Sequence, residues 1–167
     1  MTAFSLCLYC MAQALALLVV ANGAPVVVNK ALGTRWAWPV DNKLKLHNGH
    51  RLFGNTKTWR GLCSAVFCTT LLAFPIGLEP LTGLLFGVLA MAGDLSASFI
   101  KRRMGCSESC RARGLDTVPE SLLPILLLKQ PLALSPVDII LIVALFFLIE
   151  ELISPVLYRW HIRKRPY

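Results

Sequence analysis

The chain has 167 residues, 56% of them hydrophobic and only 16% Asp, Glu, Lys or Arg, with a formal net charge of +8 and a mean hydropathy of +0.62. Soluble domains carry about 25% charged residues, and a fold of this size cannot bury so much apolar surface, so the composition excludes an ordinary soluble domain and points to the bilayer as solvent. The positive balance would suggest nucleic acid in a soluble protein; here basic loops facing anionic lipid account for it, and no nucleic-acid partner is expected.

Charges are clustered, leaving residues 1–29, 61–78 and 139–149 without any. Crossing a hydrocarbon core takes about 20 helical residues at roughly 1.5 Å each. The first predicted span covers about residues 4–27. A cleaved signal peptide would need a basic n-region, but the first cation is Lys30 and the apolar run is too long, so the segment is read as a retained span. A polar segment rich in Gly, Asn, Lys and Arg follows over residues 29–60. The second span is about residues 61–78, and a Glu79-Pro80 turn leads into a third over about 81–100. A second basic loop covers 101–113, with the cytoplasmic segment extending to about 118. The fourth span, 121–134, is short and holds Pro124, Lys129 and Pro131. The fifth, about 137–157, is apolar except for Asp138, Glu150 and Glu151, and a basic tail occupies 159–167. The expected fold is all-α: one integral membrane domain over 1–167 with about five transmembrane helices.

Topology follows from the cations. Five spans bring residues 29–60, the second loop and the tail to one side, with sixteen of the seventeen Lys and Arg; only Lys129 lies towards the other, where it can snorkel. Omitting the fourth span would send the basic tail outside, against the positive-inside bias. The N-terminus is therefore expected out, the C-terminus in. Six cysteines are present, but no His stands at zinc-ligand spacing from Cys7, Cys10, Cys63, Cys68, Cys106 or Cys110, so they read as small apolar fillers and free thiols.

Three segments could carry chemistry. Asp94 sits in an otherwise uncharged span, where an acid costs a few kcal/mol unless it is paired or wet. At about 100° per residue, Asp94, Ser98 and Lys101 fall within roughly 60° of one another, putting a carboxylate, a hydroxyl and an ammonium on one face; an Asp that only satisfies a neighbouring helix is the plainer reading. Phe53-Gly54-Asn55-Thr56-Lys57-Thr58-Trp59-Arg60-Gly61 sets two cations three apart among hydroxyls and glycines, which suits a phosphate chain and equally a positive-inside flank with an aromatic anchor. Gly114-Leu115-Asp116-Thr117-Val118-Pro119-Glu120 offers two acids four apart, which suits magnesium or, alternatively, a helix cap with Pro119 in the first turn.

Taken in order, Asn22-Gly23-Ala24-Pro25-Val26, the Phe-Gly-x-x-Lys-Thr-Trp-Arg-Gly run and Gly93-Asp94-Leu95-x-x-Ser98-Phe99-Ile100-Lys101-Arg102-Arg103-x-Gly105 resemble the CDP-archaeol synthase family over roughly residues 20–123. The broader phosphatidate cytidylyltransferase family is similar through its Lys-Thr-x-x-Gly and Gly-Asp-Leu-x-x-Ser-x-x-Lys-Arg elements. The chain departs from the family pattern at Asn55, where Asp is usual, and at Thr117, where Gln is usual; its second acid, Glu120, stands one place late, with Pro119 in the usual position.

The resemblance implies that CTP and a membrane lipid phosphate (an archaeal ether-lipid phosphate or phosphatidate) give a CDP-lipid and pyrophosphate. It implies Asp94, Lys101 and Asp116 as the catalytic set, with Asp94, Asp116 and Glu120 as magnesium ligands. Lys57, Arg60 and Arg102 would join Lys101 on the triphosphate and the lipid phosphate, with Thr58 and Ser98 as hydroxyl partners. Asn22 would line the lipid groove or make a helix–helix hydrogen bond. The expected setting is the cell membrane, with the active site on the cytoplasmic side. A non-catalytic membrane scaffold would explain the spans but leave Asp94, Asp116 and Glu120 without a task. A CDP-alcohol phosphotransferase would need an Asp-Gly-x-x-Ala-Arg element, which the chain lacks. Single-cysteine labelling on a cysteine-free background tests the topology: a probe at Glu79 should react from outside only, and labelling from the inside would refute the arrangement.

Overall fold

The computed structural model describes residues 6–42, 44, 51–106 and 114–159, with the backbone alone for 154–159. The middle of the first basic loop, residues 107–113 with Cys110, and the tail beyond 159 lie outside the described residues. Within them the chain forms five α-helices: α1 (Leu8–Leu32), α2 (Trp59–Ala73), α3 (Pro80–Arg103), α4 (Thr117–Leu127) and α5 (Pro136–Arg159). The five-helix, all-α expectation holds. α1 and α3 are long and apolar enough to cross a membrane.

Three elements differ from the sequence expectation. α1 runs from Leu8 to Leu32 rather than over about 4–27, so the start of the expected polar segment is helical. α2 ends at Ala73 rather than 78, because a turn closes there with Gly77 N–H donating to Phe74 O at 3.1 Å and Leu78 N–H to Ala73 O at 2.9 Å. α4 starts four residues early, at Thr117, and stops at Leu127. Residues 128–134 then form a turn that pushes Leu132 and Leu134 into the core. The remaining ends follow local chemistry. Thr58 caps α2, its hydroxyl accepting from Gly61 N–H at 3.4 Å. α3 has Pro80 in its first turn and Lys101, Arg102 and Arg103 in its last, where cations suit the helix dipole. Ser135 and Asp138 bond reciprocally to each other's backbone N–H ahead of α5, which explains the buried acid at the start of that span.

The expectation of free thiols fails at the N-terminus. Cys7 and Cys10 are joined in a disulfide, their Cα atoms 5.2 Å apart. A spacing of three across the first turn of α1 puts both side chains on one face within bridging reach. Cys63, Cys68 and Cys106 are free.

Packing is of membrane type. Large apolar side chains such as Leu81, Val88, Ile140, Leu148 and Leu152 are exposed, while Gln13, Thr69, Ser98, Glu120 and Asp138 are buried. Phe86, Phe146, Leu17, Leu18, Ile125 and Ile142 form one core; Ala21, Ala65, Ala90 and Met91 form a second, where small side chains let α1, α2 and α3 close up. Gly83 and Gly87 do the same for α3 against α2. A Cβ on Gly87 would lie 2.3 Å from Thr69 Oγ1 and 2.8 Å from Val66 Cα. The backbone there cannot yield cheaply, so Gly87→Ala should destabilise the bundle by about 1–3 kcal/mol, read as a lower unfolding midpoint in detergent.

Candidate active site

The chain's own polarity gathers at one end of the bundle. The C-terminal ends of α1, α3 and α5 meet the N-terminal ends of α2 and α4 there, and the two basic loops connect them. α3 presents Asp94, Ser98 and Lys101 inwards along one face, as their spacing predicts: Ser98 is 3% exposed, and the Asp94 and Lys101 side chains are 23% and 13% exposed. Lys57, at the mouth of α2, reaches across so that its Nζ donates to both Oδ1 and Oδ2 of Asp94 at 2.5 Å. Burial works to lower the Lys57 pKa, but the Asp94 carboxylate, with Glu120 and Asp116 beyond it, outweighs burial and holds the ammonium above its ordinary value.

A second pair joins the next elements. Lys101 lies 2.5 Å from Asp116 Oδ1. Asp116 stands at the N-cap position of α4 yet makes no side-chain capping hydrogen bond, so its partner is the lysine rather than the helix end. Glu120, in the first turn of α4, is 4% exposed and faces Asp94, Glu150, Lys57 and Asn22. The Asn22 amide is its polar neighbour, though neither Asn22 Nδ2 nor Glu120 Oε1 closes a full hydrogen bond, which is uncommon in folded interiors.

The donor chemistry fits magnesium, which takes hard oxygens and completes its shell with substrate phosphates and water rather than with an all-protein cage. Among the described residues, however, no group of three or more His, Cys, Asp or Glu side chains is placed to hold a metal ion, so Asp94, Asp116 and Glu120 do not form such a group as they stand.

The other expected site residues are placed as follows. Arg60 closes the end of α1, donating to Gly33 O at 2.7 Å, Asn29 Oδ1 at 2.5 Å and Arg35 O. Arg102 is buried and donates to Cys106 O at 2.6 Å, its Nε without a partner. Thr58 spends its hydroxyl on the α2 cap. Asn22 lines neither apolar groove described below and faces Glu120 instead. Sequence reasoning missed Glu150 of α5, whose Oε2 accepts from Thr117 Oγ1 at 2.5 Å. The signal was present, since an acid inside an apolar span is expensive and calls for a partner; the partner lay on another helix.

Two apolar grooves open beside this end. One, of about 700 Å³, runs between α2 and α3 past Leu62, Val66, Phe67, Val88 and Leu95, with Trp59 at its mouth. The other, of about 550 Å³, lies between α4 and α5 along Val118, Leu122, Ile140, Val143 and Phe147.

The family described as "CarS-like: CDP-archaeol synthase" matches residues 73–167. Proteins named CDP-archaeol synthase are similar over most of the chain. That of Sulfurisphaera tokodaii is 36% identical, covering 89% of this chain and 90% of its own. That of Sulfolobus acidocaldarius is 32% identical, covering 89% and 91%. A solved structure described as an intramembrane enzyme for archaeal membrane lipids biosynthesis superposes with a TM-score of 0.63 at 26% identity, over 80% of this chain and 88% of that one.

The closeness of the carboxylates depends on Gly93. A Cβ there would lie 2.2 Å from Pro119 O and 2.7 Å from Glu120 Cα. Gly93→Ala should push α4 off α3 and carry Glu120 away from Asp94, lowering turnover on the order of 100-fold while the protein still inserts. Radiolabelled CTP incorporation checks this; full activity would show that the approach is not needed.

Proposed function

The chain belongs to the CDP-archaeol synthase family, and from that premise we propose how its own residues carry the reaction. The protein is a membrane-embedded CTP:lipid-phosphate cytidylyltransferase that makes CDP-archaeol from CTP and an archaeal lipid phosphate. A phosphate oxygen of the lipid attacks the α-phosphorus of CTP, the bond from that phosphorus to the bridging oxygen breaks, and pyrophosphate leaves with the electron pair. The nucleophile is an anion already, so no activated Ser or Cys is required. What the protein must supply is alignment of two polyanions and compensation of charge gathering on the leaving group.

The observation that carries this reading is the meeting of Lys57–Asp94, Lys101–Asp116 and the buried Glu120 at one end of the bundle. Lys57 and Lys101 are paired with Asp94 and Asp116, and would turn their ammonium groups from these carboxylates to phosphate oxygens. Arg102, with an unpartnered Nε, would add a further donor. Asp94, Asp116 and Glu120 would hold magnesium, directly or through water, with Glu150 beside them; when bound, the ion supplies charge neutralisation on the phosphates. Arg60 and Thr58 would act from behind, by fixing the mouth of α2. The lipid chains would lie in the α2–α3 groove, whose Leu95 adjoins Asp94 and whose Trp59 follows Thr58. The site would face the cytoplasm, where CTP is found, an orientation supported by the sixteen cations on that side.

Asp94→Asn tests the assignment. The amide keeps the size of the side chain but loses the charge that attracts a hard cation and pairs Lys57. Turnover of CTP with archaeal lipid phosphate should fall by at least about two orders of magnitude at every magnesium concentration, while insertion and purification stay normal. If the residue merely satisfied a neighbouring helix, removing an intramembrane charge would leave activity intact, and that result would sink the mechanism.

A further inference from the structure

Asp41 lies in the first polar segment, away from the ion-pair cluster, and is 2% exposed. A buried carboxylate is expensive unless its lone pairs are satisfied, and here four donors converge on it. Oδ2 accepts from Arg51 Nε at 3.2 Å and from the backbone N–H groups of Phe53 at 3.3 Å and Gly54 at 3.2 Å. Oδ1 takes the Arg51 Nη2, and Arg51 Nη1 goes on to Asn55 Oδ1.

The carboxylate closes a small clip in the backbone. Pro39 and Thr58 form an antiparallel bridge, with Val40 N–H donating to Lys57 O at 2.9 Å and Trp59 N–H to Trp38 O at 3.0 Å. Asp41 therefore follows one leg of the clip, and Lys57 belongs to the other. Gly54, at φ +94, makes the reversal that brings the Lys57 leg back. The clip is also tied to α3: Arg103 Nη2 donates to Arg51 O at 3.1 Å, and its guanidinium lies 5.3 Å above the Phe99 ring.

We propose that Asp41 is a positioning residue for the cytidylyl transfer: by holding Arg51 and the Gly54 turn it fixes the backbone of Lys57, and so delivers the Lys57 ammonium to Asp94. A lysine side chain is long and loses much rotamer freedom when it is held. Its Nζ can sit 2.5 Å from both oxygens of one carboxylate only if its Cα is placed for it. The clip's hydrogen bonds to Asp41 come from Arg51, Phe53 and Gly54, not from the ion-pair cluster. The inference rests on the reading of Lys57 as a substrate-side cation given above.

The test is a mutant cycle in lipid nanodiscs, with CTP binding, kcat and KM measured for wild type, Asp41→Asn, Lys57→Gln and the double variant. Asp41→Asn should raise KM for CTP and lower kcat/KM by about 10–100-fold, the usual scale for outer partners of a site. In the Lys57→Gln background the same change should cost less than about threefold, because the group through which it acts is already gone. An equal loss in both backgrounds, or a loss that follows the folded fraction at unchanged KM, would assign Asp41 to general stability and overturn the proposal. Should Asp41→Asn fail to fold, Arg51→Gln makes the same comparison, since it spares the Phe53 and Gly54 bonds; full activity there refutes the clip. If Lys57→Gln itself binds and turns over CTP like wild type, the reading of Lys57 fails. If Lys57→Gln is impaired while Asp41→Asn is not, only the positioning role fails.

Discussion

A carboxylate inside a transmembrane helix has to be compensated, and Asp94 sets that requirement for everything around it. An unpaired acid at that depth costs several kcal/mol, and nothing on α3 itself can answer it, because Lys101 lies two turns away and is held by Asp116. The answer comes from outside the helix, as Lys57. Lys57 in turn sits where it does because the chain between α1 and α2 doubles back on itself between Trp38 and Trp59. Much of the first polar segment can thus be understood as the means of bringing one ammonium to one carboxylate.

The same economy governs helix packing. In lipid there is little hydrophobic drive between helices, so close approach has to come from small side chains. Gly83 and Gly87 bring α2 onto α3, and Gly93 brings α4 onto α3 next to the acid that matters. Gly93 and Asp94 are adjacent for a reason visible in the geometry: one lets the backbone of Pro119 and Glu120 come near, the other meets the carboxylate that arrives with it. Glu120 would otherwise be a buried acid on a distant helix.

The spans, the basic loops and the inward face of α3 were legible in the sequence, because each is a local pattern: a run without charge, a cluster of cations, a spacing of four and seven. The motifs around Lys57 and Asp94 also carried the family. What the sequence did not disclose are the pairings between segments. Lys57–Asp94, Lys101–Asp116 and Thr117–Glu150 join residues 37, 15 and 33 positions apart, and no periodicity encodes such distances. For the same reason the sequence does not disclose that Arg60, expected on phosphate, also lies against the end of α1. Asp41 carries no local signal in the sequence, since its partners are two backbone N–H groups and an arginine ten to thirteen residues on. Cys7 and Cys10 lack zinc-ligand spacing to a histidine, and it is their helical spacing of three that the disulfide follows.

Helix length sets the depth of the polar cluster. α3 has 24 residues and α1 has 25, about 36 Å or more, enough to cross a hydrocarbon core of about 30 Å. α2 and α4 have 15 and 11, about 23 and 17 Å, shorter than that core by themselves. Both begin at the site end, so their N-termini lie level with the interior of α3 rather than with its tip. That is how Lys57, just before α2, and Glu120, just inside α4, come to the depth of Asp94, which stands nine residues before Arg103. Irregular backbone at such depth is tolerated only when its polar groups are satisfied or wet. The bridge at Pro39 and Thr58 and the amides on Asp41 do part of that satisfying. The two apolar grooves flank the two short helices and end beside the recess, at Trp59 and Leu95 on one side and at Val118 on the other. Short helices next to long ones therefore make a polar basin with apolar channels running into it, which is the shape needed to bring a water-soluble nucleotide to a lipid phosphate that stays in the membrane.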